Sequence, residues 1–99
     1  MITFACMKHW NIRVRGKVQG VYFRLTTKAV ADQLGIKGFV MNADDGSVYI
    51  EAEGDDFGLE ALLDFCKEGP ERAEVEAVDY TEEKIVRGFK NFEVRKRIR

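Results

Sequence analysis

The stretch Arg15–Arg24, RGKVQGVYFR, joins a segment that alternates apolar and polar residues to one whose apolar residues recur every three or four positions. WNIRVR (10–15) reads as a strand, because its side chains fall alternately on two faces. From Phe23 to Leu34 the spacing predicts a helix, with Phe23, Thr27, Val30, Ala31 and Leu34 on one face. Gly35 follows where a left-handed residue commonly closes a helix. Between strand and helix stand Gly16 and Gly20, with no acid, hydroxyl or histidine in between. A strand-to-helix passage of that composition offers one binding group, its own backbone.

The rest of the chain extends the alternation. IKGFVMN (36–42) and VYIEAE (48–53) read as strands joined through ADDGS (43–47), where Asp-Gly suits a tight hairpin turn. Asp55 and Asp56 open a second helix with Leu59, Leu62, Leu63 and Cys66 on its inner face. The single proline, Pro70, lies in a loop, EGPER (68–72). AEVEAVDY (73–80) and NFEVRK (91–96) are further strand candidates, the first imperfect in its alternation. The order β-α-β-β-α-β, with a short last strand besides, predicts an α+β fold of the ferredoxin-like α/β sandwich type: an antiparallel sheet with two helices on one face. No linker, repeat or low-complexity tract interrupts it, so residues 1–99 are expected to form a single domain.

Composition excludes several classes. With 45% hydrophobic and 33% charged residues the chain reads as globular, not disordered. No apolar run suits a membrane span and no secretory leader is evident, so no membrane partner and a cytoplasmic location are expected. Cys6 and Cys66 stand in no metal or redox spacing and are expected to be free thiols. The net charge of −1 conceals segments of +6 (1–43), −13 (44–83) and +6 (84–99). The expectation is that strands from both ends lie together and the middle supplies the opposite surface. Aromatics do not interleave with the basic residues, so nucleic acid is not expected as a partner.

The two helices begin differently. The second has Asp55 and Asp56 to satisfy its first N–H groups; the first, entered through GVYF (20–23), has no Ser, Thr, Asp or Asn in place. Uncapped N–H groups at a helix start attract an anion, and glycines at 16 and 20 allow the preceding N–H groups to turn inward as a nest. Arg24, in the first turn, can fork onto the same anion. The pattern is neither a Walker loop, since no Gly-Lys-Ser/Thr follows, nor a dinucleotide fingerprint, which needs a third glycine. The plain alternative is a β-to-α turn whose glycines only permit the bend; the missing cap and the arginine weigh against it.

GKVQGVYFR (16–24) resembles the signature loop of the acylphosphatases, Gly-x-Val-Gln-Gly-Val-x-Phe-Arg. GIKGFVMNADDGSVYIEAEG (35–54) is similar to that family's glycine-aromatic-valine-x-asparagine segment and hairpin, and FKNFEVR (89–95) to its final strand. The likeness runs from about Asn11 to Arg95 and implies the same ferredoxin-like sandwich. It also implies hydrolysis of the carboxyl–phosphate bond of an acyl phosphate, without metal or cofactor, and with inorganic phosphate as product or inhibitor. On the matching motif positions, Arg24 and Asn42 would be catalytic. Lys17, Val18, Gln19, Gly20, Val21 and Tyr22 would form a phosphate loop acting through backbone N–H groups. Asn42, at the end of the adjacent strand, would hold the attacking water, and a monomer is expected. No carboxylate or histidine lies inside either motif, so no protein general base is expected, and the substrate phosphate would accept the water's proton.

Departures from the family pattern stand at Ala43, where many members have threonine, and at Lys96, where many end in tyrosine. A carboxylate contact to Arg24 is therefore not expected, and the start, MITFACMK (1–8), matches nothing in the family core. His9 is expected to be a surface or edge residue, Trp10 to pack in the core or at the sheet edge, and Glu74, Glu76 and Asp79 to be a solvated face. NADDG (42–46) is a hairpin turn rather than a calcium loop. Two other functions fit the fold. One is a non-catalytic module binding a phosphometabolite or RNA, which the presence of Asn42 beside Arg24 argues against. The other is the related module of carbamoyl-transferring maturation proteins, for which ninety-nine residues offer no further domain.

Overall fold

The computed structural model describes residues 7–84 and 86–96. Its elements are β1 (Lys8–Lys17), α1 (Phe23–Leu34), β2 (Lys37–Asn42), β3 (Val48–Gly54), α2 (Asp56–Glu68), β4 (Glu74–Glu83) and β5 (Phe92–Arg95). The expected helix limits agree: α1 starts at Phe23, and Gly35 closes it in the left-handed region, its N–H donating to the carbonyls of Ala31 and Asp32. Asp55 caps α2, its carboxylate accepting from the Gly58 N–H at 2.8 Å.

The sheet order is β4-β1-β3-β2-β5. The β1–β3, β1–β4 and β2–β3 pairs are antiparallel, but β5 pairs with β2 in parallel, Val94 beside Val40. The expected antiparallel sheet is thus correct for four strands and gives way to a mixed sheet at one edge. The long passage from β4 carries the chain back across the sheet, so β5 enters in the direction of β2. The order corrects two further expectations. Asn42 ends β2, which β3 separates from β1, so it is not on an adjacent strand. The charge expectation holds only in part: β5, of the basic 84–99 segment, pairs with β2, of the basic 1–43 segment, but the acidic middle interleaves with them, β1 running between β3 and β4, where Arg15 meets Asp45 and Asp79.

One face of the sheet builds the core. Ile12 and Val14 of β1, Ile50 and Val48 of β3 and Val40 of β2 are fully buried together. Phe23 and Ala31 of α1 and Leu59, Leu62 and Cys66 of α2 close over them. Each large apolar side chain so buried contributes about 1.5–3 kcal/mol. Trp10 is buried, stacks on Tyr80 and donates its indole N–H to Glu82. Cys66 is a free thiol whose pKa burial pushes up to about 12, which leaves it inert. Cys6, Arg97, Ile98 and Arg99 lie outside the described residues, as does most of the unmatched N-terminal stretch.

The opposite face is polar, and there the expectation for His9 fails. His9 is fully buried, because residues 86–91 fold across it and Phe89 stacks on its ring. Its Nδ1 lies 2.6 Å from Glu53 Oε2, and its Nε2 lies 3.0 Å from Asn11 Oδ1 and 3.1 Å from Glu51 Oε1. Both ring nitrogens therefore face carboxylate or amide oxygens. The Glu53 carboxylate, itself buried, also accepts the backbone N–H groups of Arg87, Gly88 and Phe89. Burial alone would raise its pKa, but the His9 bond and these three donors outweigh that and hold it below the usual 4.5.

Glu53 thus ties the crossing segment to β1, and the sign of its pH effect follows. A carboxyl depressed by folding stabilises above its unfolded pKa, and that stability is lost as pH falls through the folded value. Glu53→Gln is expected to cost roughly 1.5–3 kcal/mol at neutral pH. It is also expected to flatten the fall in melting temperature between about pH 6 and pH 3 relative to the parent. Parallel melting profiles for the two proteins across that range would contradict the assignment.

Candidate active site

The passage from β1 into α1 is shaped by two positive-φ glycines with different tasks. Gly16 (φ 129°) sits where the β1–β4 register shifts, against the edge of β4. A Cβ there would come within 2.2 Å of the Glu74 carbonyl oxygen, so only glycine allows β4 this close. Gly20 (φ 75°) faces open space, and its requirement is conformational alone. Tyr22 (φ 63°) adopts the left-handed region as the residue before α1, and among the described residues it is the single non-glycine that does so.

Within the expected loop the structure separates roles. Lys17 is still strand, paired with Glu74. Val18 and Val21 turn their side chains into the core and anchor the loop. Gln19 reaches sideways: its Nε2 donates to the carbonyl of Ala43 at 2.8 Å and of Ser47 at 2.9 Å, on the β2–β3 hairpin. Gly20 and Tyr22 stay at the surface. The start of α1 has no side-chain cap and no acid in its first turn, as its sequence leads one to expect.

A cavity of about 400 Å³ opens at this helix start. Val18, Gly20, Tyr22 and Arg24 line it, and Asn42 lines it from the end of β2. Lys17, Gln19 and Val21 are not part of its wall. Arg24 Nη1 donates to the Arg95 carbonyl of β5 at 3.1 Å, and among the described residues Arg24 makes no ion pair. A backbone carbonyl therefore positions the guanidinium without neutralising it. Asn42 Oδ1 is buried and has no hydrogen-bond partner, the one such side-chain atom among the described residues. A buried acceptor left unpaired costs about 1–3 kcal/mol, which makes it a natural place for a donor from outside the protein.

Among the described residues the wall holds no carboxylate or imidazole. His9 lies on the sheet's other face, and Glu74, Glu76 and Asp79 are exposed along β4. Among the described residues no three His, Cys, Asp or Glu side chains converge as they would around a metal ion. Asp45 turns the hairpin that carries Asn42: its carboxylate accepts from the Ser47 hydroxyl and N–H, which hold its pKa down at about 2. No helix among the described residues is long and apolar enough to cross a membrane.

Sequence reasoning placed Arg24, Asn42 and the loop in one site, and the fold brings Arg24, Asn42, Val18, Gly20 and Tyr22 to one cavity. It missed the side chain of Gln19 as a brace. A long amide flanked by glycine and two buried valines was the available signal.

Comparison with known proteins bears on the family and the fold. The family model described as Acylphosphatase matches residues 10–94. The acylphosphatase of Thermotoga petrophila is 48% identical over 89 residues, 90% of this chain and 98% of that protein. The crystal structure of acylphosphatase from Bacillus subtilis covers 88% of this chain and 97% of its own, at 34% identity and a TM-score of 0.86. The structure of an acylphosphatase from Coxiella burnetii covers 95% of this chain and 100% of its own, at 32% identity and a TM-score of 0.88.

The bond pair from Gln19 couples the loop to the strand that presents Asn42. Gln19→Ala is expected to remove about 1–2 kcal/mol and lower the melting temperature by roughly 4–12 °C. It should reduce kcat more than it raises KM, since Asn42 is displaced rather than lost. A variant with unchanged melting temperature and kcat would show that the brace is idle.

Proposed function

The chain belongs to the acylphosphatase family and is an acylphosphatase, an enzyme that hydrolyses acyl phosphates, and from that premise we propose how its own residues carry out the reaction. The phosphoryl group sits against the start of α1, held by backbone N–H groups of the loop Lys17, Val18, Gln19, Gly20, Val21 and Tyr22 and by the guanidinium of Arg24. Within that loop, Val18, Gly20 and Tyr22 line the cavity and carry most of the contact. Asn42 orients the attacking water through Oδ1. The unpaired, buried Oδ1 of Asn42, a residue that lines the cavity together with Arg24, is the observation that carries this reading.

The chemistry asks little more. Water attacks phosphorus, the bond from phosphorus to the carboxyl oxygen breaks, and the carboxylate leaves as an anion without needing an acid. Phosphoryl transfer depends on alignment and on stabilising charge over the equatorial oxygens. The inward N–H groups and an unneutralised arginine supply that charge in place, so the reaction is read as metal-independent. The water's proton passes to a phosphoryl oxygen, in keeping with a wall free of carboxylate and imidazole. Every group named comes from one chain, and we read residues 1–99 as a single domain that acts as a monomer. The free Cys66 thiol suits a reducing, cytoplasmic setting.

Phosphate release from benzoyl phosphate, measured in EDTA, tests the assignment on the parent, Arg24→Ala and Asn42→Ala. Each variant is expected to lose turnover by about 10²–10³-fold, the cost of removing one oxyanion donor. Arg24→Ala should also weaken inhibition by inorganic phosphate, whereas Asn42→Ala should mainly slow the chemical step. Full turnover in Asn42→Ala would refute the water-orienting role, and loss of the parent's activity in EDTA would refute metal independence.

A further inference from the structure

The phosphoryl group and its water account for only part of a 400 Å³ cavity, a volume in the range of small-molecule sites. Among the described residues Arg24 is the one charged side chain of the wall; Phe23, Leu25 and Val94 complete it. Leu25 is 59% exposed and Tyr22 is 69% exposed, so each presents apolar surface to solvent at the cavity's mouth. Tyr22 does so in a left-handed conformation that a Cβ disfavours and glycine or asparagine would adopt with less strain. Among the described residues its ring stacks on nothing, and its hydroxyl has no hydrogen-bond partner. Neither packing nor capping accounts for a tyrosine at this position.

We propose that Tyr22, Leu25 and Val94 form an acyl subsite that selects acyl phosphates with an apolar, aromatic or branched acyl group over acetyl and carboxylated ones. The inference rests on the reading that the phosphoryl group lies against Arg24. With phosphate there, the acyl group projects away from the helix start toward the mouth, where the tyrosine ring can cover an apolar group. A second carboxylate on the acyl group would meet these apolar side chains, and among the described residues the wall's one cation, Arg24, is already engaged by the phosphate.

Selectivity is read as the ratio of kcat/KM for benzoyl phosphate to that for acetyl phosphate, with succinyl phosphate as the charged comparison. Tyr22→Gly suits the backbone conformation, and Leu25→Ala suits the helix, so at least one should fold as the parent does. The parent is expected to favour the benzoyl substrate by about tenfold. Each variant should lower that ratio about three- to tenfold, chiefly through KM for the benzoyl substrate. Succinyl phosphate should be the poorest substrate of the parent. Two results overturn the subsite alone: a parent without preference, or an unchanged ratio in the folded variants while Arg24→Ala is inactive. Retained turnover in Arg24→Ala would overturn the phosphate placement and the subsite with it.

Discussion

A helix begins with N–H groups that its own carbonyls cannot reach, and the two helices of this enzyme resolve that constraint in opposite ways. At α2 the carboxylate of Asp55 accepts the Gly58 N–H and Asp56 stands in the first turn. At α1 no side chain among the described residues does the same. Tyr22 is left-handed, offers no cap, and is followed by Arg24, which adds positive charge where an acid would normally be favoured. An anion relieves both features at once. On the proposed reading, the affinity for the phosphoryl group is built into the backbone where β1 becomes α1.

Holding that passage open requires support from three sides. Gly16 lets β4 approach within a distance that no Cβ could tolerate, which sets the bend. Val18 and Val21 pin the loop to the core, while Gln19 ties it to the β2–β3 hairpin that carries Asn42. From the far edge, the Arg95 carbonyl of β5 steadies Arg24. β5 can serve there because the segment before it is fastened over the sheet by the buried Glu53 and His9. The polar face of the sheet carries none of the proposed chemistry, yet it holds the strand that orients the guanidinium.

Elements were legible where periodicity is local. The 3.6-residue repeat from Phe23 to Leu34 and the glycine after it suffice to bound α1, and the Asp55 cap suffices to start α2. Strand order was not, because pairing between distant segments leaves little trace in either segment alone. Neither the parallel placing of β5 beside β2 at the edge nor the flanking of β1 by acidic β3 and β4 could therefore be read locally. His9 was misread for a related reason: alternation puts it on the polar face, and only the crossing of residues 86–91 buries it. The site itself was legible through its motifs, since Arg24 and Asn42 are carried by short segments of recognisable composition. What those motifs leave out is the sideways reach of Gln19, which depends on where the hairpin lies.

The claim beneath all of this is that the free N–H groups at the start of α1 bind the phosphoryl group together with Arg24. A titration with inorganic phosphate, followed through the amide and arginine side-chain N–H resonances of the labelled enzyme, observes those groups directly. The account predicts saturable shifts concentrated at Val18–Tyr22 and at the Arg24 Nε–H, with the start of α2 unmoved. Shifts absent from that loop, or saturating while Arg24 stays silent, would contradict it.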